Sequence, residues 1–103
     1  MAMIDIFKTR LPEGLELESV KDSSSRNSYE VILNYKGMRK SKNLLPKSCA
    51  PGKEKLVCDM VISIAMTVIG VSLNDSEMAK QWKAKQEWLL DLWTMAEKSS
   101  KKQ

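Results

Sequence analysis

The run from Leu56 to Leu73, LVCDMVISIAMTVIGVSL, carries a single charge, Asp59, and constrains the chain more than any other segment. No other stretch can supply a core of that size. Wound as a helix, it sets Asp59, Ser63 and Thr67 at i, i+4 spacing, one thin polar stripe on an otherwise apolar cylinder. That is the pattern of a helix covered on nearly every side. A pair of buried strands competes, because Val57, Val61, Ile62, Ile64, Thr67, Val68, Ile69 and Val71 are β-branched. Length favours the helix: no turn signal precedes Gly70, and strands average about five to six residues. The uncharged part, Met60 to Leu73, falls short of the roughly 20 apolar residues a bilayer span needs. A core helix, and no membrane association, is therefore expected.

At 103 residues, the chain is expected to form one domain over residues 1–98, with 99–103 as a disordered tail. Met1 to Arg10 can be read as an edge strand or as a short helical lead-in, and it lacks the basic-then-apolar pattern of a signal peptide. A cytoplasmic location is the corresponding expectation. Leu11-Pro12-Glu13-Gly14 is turn chemistry, and Leu15 to Val20 alternates as a half-buried strand. Asp22 to Ser28 reads as a polar loop. Tyr29 to Tyr35 is the clearest strand, and Met38 to Leu44 should return beside it as a hairpin partner. A type I turn closed by a left-handed Gly37 would set Glu30 opposite Lys42; a two-residue turn at Lys36-Gly37 would shift that register by one.

Leu45 to Gly52 is a connector in which Pro51 suits a first helical turn. Asn74 with Glu77 resembles a capping box opening a second helix, expected over about residues 75–98. Its apolar side holds Met78, Trp82, Leu89, Leu92, Trp93 and Ala96. Trp88 and Met95 sit at the edge of that arc and should stay partly exposed. The expected fold class is α+β: a three-stranded antiparallel β-meander packed against two long C-terminal α-helices.

The chain has no histidine, which removes Ser-His-Asp and Cys-His catalysis. Gly52-Lys53 is followed by Glu54 and lacks the upstream glycine of a P-loop. Cys49 and Cys58 form no CxxC, so neither metal nor cofactor is expected. Cys49 lies between Lys47 and Lys53, a setting that can lower a thiol pKa, and Cys58 reads as core. Asp59 is read as reaching solvent or pairing with Lys55. Glu16 and Glu18 fall on one strand face. These absences point to a non-catalytic binding protein.

The net charge of +4 is concentrated, since seven cations stand against Glu54 alone between Lys36 and Lys55. Tyr35, Lys36, Arg39, Lys40, Lys42 and Asn43 on the hairpin tip and return strand form the candidate site for DNA or RNA, or for an acidic protein surface. Lysines on an edge strand also guard against edge-to-edge pairing, a purely structural use. The stretch NSYEVILNYKGMRKSKNL resembles the basic hairpin of arm-binding domains in phage-type integrases. It covers less than a fifth of the chain, and those modules carry one helix, not two. The alternative is an inhibitor or adaptor of the kind phages and mobile elements use, docking on a host protein through exposed aromatics such as Trp88 and Tyr35, with Met95 beside them. The apolar circumference of the Val- and Ile-rich helix also suits a homodimer.

Overall fold

The first ten residues choose the helical option: Met3–Thr9 forms α1, which buries Phe7 completely and ends in a hydrogen bond from the Arg10 N–H to the Phe7 carbonyl. The computed structural model describes the backbone of residues 3–23, 28–46 and 52–101, with side chains at 4–22, 28–41, 52–95 and 98. After α1 come β1 (Leu15–Ser23), β2 (Ser28–Tyr35), β3 (Met38–Pro46), α2 (Glu54–Ser72) and α3 (Ser76–Lys101). The three strands form an antiparallel sheet in the order β1-β2-β3, and the two C-terminal helices pack with it, the expected α+β arrangement.

Gly14 makes the turn into β1 with φ +89, and the Leu15 N–H closes it on the Pro12 carbonyl at 3.1 Å. The strand pattern then breaks phase, because Leu15 and Leu17 are two apart while Val20 is three further on. A bulge between Leu17 and Ser19 absorbs the extra residue, so that Leu15, Leu17 and Val20 pair with Tyr35, Leu33 and Val31. Both strands extend into the segment expected to be loop, as Ser23 pairs with Ser28.

The hairpin corrects the expected register. Tyr35 pairs with Met38, leaving a two-residue turn in which Lys36 and Gly37 both take positive φ, 52 and 86. That geometry is of the primed type, whose twist matches the flanking strands. The Asn34 side-chain oxygen accepts the Gly37 N–H at 3.0 Å and steadies it. Lys42 consequently pairs with Val31, and Glu30 with Asn43, so the expected Glu30–Lys42 cross-strand pair does not form.

Helix α2 is the hub of the core. It packs against α3, β3 and α1, and buries Val57, Cys58, Val61, Ile62, Ala65, Met66 and Ile69 against Phe7, Leu15, Val31 and Leu33. By length and composition alone it could cross a membrane, yet 44% of its most apolar window is buried within the fold. Its end is a Schellman motif: Asn74 takes φ 59, its N–H reaches the Val71 carbonyl at 3.1 Å, and the Asp75 N–H reaches Gly70 at 2.9 Å. Asn74 therefore closes α2 and does not cap α3. The cap is Asp75, whose carboxylate accepts the Met78 N–H at 3.1 Å. Helix α3 runs to Lys101, past the boundary expected at Lys98. Pro51 lies outside the described residues.

At Gly70 the backbone of α3 comes close to α2: a Cβ placed there would lie 2.8 Å from the Ala79 nitrogen and 3.0 Å from its Cα. Gly70→Ala should therefore lose about 1–2 kcal/mol net in urea unfolding, overpacking outweighing the roughly 1 kcal/mol that alanine gains in helix propensity. A stability gain would mean that α3 can step away from α2 at little cost.

Candidate interaction surfaces

The two-residue turn decides how the hairpin presents its cations. Residues opposite one another in an antiparallel pair share a face, so Lys40, opposite Leu33, lies on the helix side of the sheet and is half-buried. Arg39, opposite Asn34, lies on the other side. There Arg39 is held by Glu18, with nitrogen–oxygen distances of 2.9 and 3.0 Å, while the Asn34 amide adds a longer contact of 3.4 Å to the same carboxylate. Lys36 lies over the Tyr35 ring at 5.4 Å from its centroid, and Tyr35 itself is half-buried against Gly14 and the core edge. Tyr35 is thus a packing residue more than an exposed anchor. Lys42 and Asn43 have described backbone only, and Cys49 lies outside the described residues. The candidate hairpin cations are therefore divided between two faces, with one already neutralised.

Helix α3 offers the second surface. Leu89 is buried, with Trp82 and Trp93 half-buried on the same side. Trp88 and Met95 are 57% and 65% exposed, seven residues apart on one flank. Ala84 is exposed on that flank, and Leu92 half-buried at its edge. Lys85 stands beside it with its ammonium 4.9 Å from the Trp82 ring centroid.

A third surface lies on α2, whose apolar circumference suits a homodimer, and the fold decides which of its residues stay bare. Between α2 and α3, Val57, Met60, Val61, Ile64, Leu90 and Trp93 line an open groove of about 300 Å³ whose wall is almost wholly apolar. Ile64 is 37% and Leu90 52% exposed. A separate hollow between the same helices is lined by Thr67, Val71 and Ala79 together with Lys80, Lys83 and Glu87. Lys53 caps one end of the apolar groove, 5.2 Å from the Trp93 ring centroid.

The polar residues of α2 point elsewhere. Asp59 does not pair with Lys55; it takes a two-pronged grip from Arg10, Nε to Oδ1 at 2.5 Å and Nη2 to Oδ2 at 2.6 Å. That hydrogen bond is the main reason the guanidinium is held above its ordinary pKa. Ser63 is fully buried and donates to the Met60 carbonyl, and Thr67 donates to the Ser63 carbonyl. Cys58 is core. Among the described residues no three His, Cys, Asp or Glu side chains gather as metal ligands.

The two ion pairs should differ in worth. The Arg10–Asp59 pair is the less exposed, its side chains 35% and 23% accessible against 63% and 36% for Arg39 and Glu18. Arg10→Ala should cost about 1–2 kcal/mol and persist in 0.5 M salt, while Glu18→Ala should cost under about 1 kcal/mol and fade there. Equal losses in urea titrations would contradict that ranking. Comparison with protein-family models, with curated proteins and with solved structures gives no match to this chain, so its role is argued from these surfaces alone.

Proposed function

We propose that this chain is a non-catalytic protein-binding module of the adaptor or inhibitor type, which docks through the Trp88–Met95 flank of α3. The carrying observation is the exposure of Trp88, 57%, on a helix whose opposite side is anchored in the core by Leu89. A tryptophan held on a rigid scaffold loses little conformational entropy on binding, and tryptophan is among the residues most enriched at interface hot spots. Met95 adds an adaptable apolar contact, and Lys85 and Lys98 favour a partner with carboxylates around an apolar pocket. Catalysis has little to draw on, given the absence of histidine.

A second reading, nucleic-acid binding through the hairpin, rests on Lys36 and Lys40, for which no carboxylate partner is found among the described residues. Its weakness is the division of the cations between two faces and the neutralisation of Arg39 by Glu18. A polyanion rewards a continuous positive track, and each neutralised cation removes one counterion-release contact.

One set of variants separates the readings. Trp88→Ala with Met95→Ala should weaken partner capture by the full chain at least about tenfold, as expected for a hot-spot pair, and leave the thermal midpoint almost unchanged. Arg39→Ala with Lys40→Ala should leave capture intact. Duplex DNA binding that falls steeply with salt and vanishes in the Arg39/Lys40 variant would overturn the protein reading in favour of the hairpin.

A further inference from the structure

We infer that the open side of α2 is a twofold seam on which a second copy of this chain packs. The inference is independent of the Trp88 flank and rests on which residues α2 leaves uncovered. Asp59, Ser63 and Thr67 are satisfied by Arg10 and by backbone carbonyls, so the polar stripe is spent internally. Solvent instead meets Met60, Ile64 and Val71, with Val57 at the groove wall and Thr67 between. From Val57 to Val71 this line carries no charge.

The spacing is what a partner helix needs. Val57, Met60, Ile64, Thr67 and Val71 recur at alternating steps of three and four, the a/d pattern of a helix seam. Val57, Ile64, Thr67 and Val71 are β-branched and stiff, and Met60 is the one adaptable member; Ile64 and Val71 are the seam's exposed centre and end, while Val57 is the buried edge of the groove. Reversal about Ile64 carries Val57 onto Val71 and Met60 close to Thr67. The stripe is therefore nearly its own complement, as an isologous contact about a twofold axis requires. Leu90, on α3, widens the strip beside Ile64. Two hairpins meeting in this way would bury their apolar faces as a four-helix layer.

Area sets the strength. A 19-residue helix is about 28 Å long, and two helices side by side present a strip about 20 Å wide, or roughly 560 Å² per copy, apolar along α2 and Leu90 and charged at its α3 rim, where Lys80, Lys83 and Glu87 stand. That is just under the roughly 600–1,000 Å² per partner of stable interfaces, which points to a dimer dissociating in the micromolar range.

Sedimentation equilibrium on the full chain tests this. Between about 1 and about 200 µM, the mass should rise from 11.7 kDa toward twice that value. Ile64→Glu should hold it at the monomer mass with unchanged circular dichroism, and Trp88→Ala should leave dimerisation intact. Ile64→Cys supplies a check that does not depend on a charged variant folding: under mild oxidation it should cross-link to itself across the axis, while Ser41→Cys on the far side of the sheet should not. A monomer mass throughout the range, or a dimer lost with Trp88→Ala and kept with Ile64→Glu, would overturn the inference.

Discussion

Every other element of this protein takes its position from the burial of α2. The buried apolar residues of the sheet, Leu15, Val31 and Leu33, share one cluster with α2, and α1 is too short to persist by itself. Phe7 from α1, Leu15 from β1, and Val31 and Leu33 from β2 all end in the cluster that α2 organises. Hydrophobic burial is non-directional, so the registers must come from elsewhere. They come from local chemistry: the positive φ of Lys36 and Gly37, the bulge in β1, and Asn74 in a left-handed conformation ending α2.

Core helices must also dispose of their polar groups, and the way α2 does so shapes its surface. An unsatisfied buried carboxylate or hydroxyl costs more than a hydrogen bond returns. Asp59 is met by Arg10, which pins the end of α1 to α2; Ser63 and Thr67 are met by carbonyls of their own helix. With Asp59, Ser63 and Thr67 engaged by the fold, the solvent side of α2 between its polar ends at Lys55 and Ser72 is mainly apolar. The exposed Ile64 and Val71 follow from that arrangement, and Leu90 on α3 extends it.

The fold class was legible because each element announces itself over a long enough window. Eighteen nearly uncharged residues define α2, β2 is rich in aromatic and β-branched side chains, and α3 has a clear apolar side. Register was not legible, since Lys36-Gly37 and a longer turn fit the same residues and differ by one position. Arg10 and Asp59 are 49 positions apart, a distance at which no local pattern reports contact. Trp88 and Met95 could be picked out because α3 has polar residues to contrast with them. Ile64 and Val71 could not: in a helix apolar on nearly all sides, no periodic contrast marks the side that its neighbours will leave bare.

The same contrast governs how the hairpin should be weighed. Seven cations between Lys36 and Lys55 look like a patch when written in a line, but alternation along a strand sends successive side chains to opposite faces. Lys40 joins the helix side near Leu33, Arg39 joins Glu18 and Asn34, and Lys36 folds over Tyr35. Among the described hairpin cations, charge split between two faces and partly neutralised is a poorer match to a phosphate backbone than a continuous stripe. Trp88 is in the reverse situation: one residue, unremarkable in composition, is set by helix geometry where the core cannot reach it. Because binding free energy concentrates in a few desolvated anchors and not in summed charge, the proposal of a protein partner gives that single placement more weight than the count of lysines.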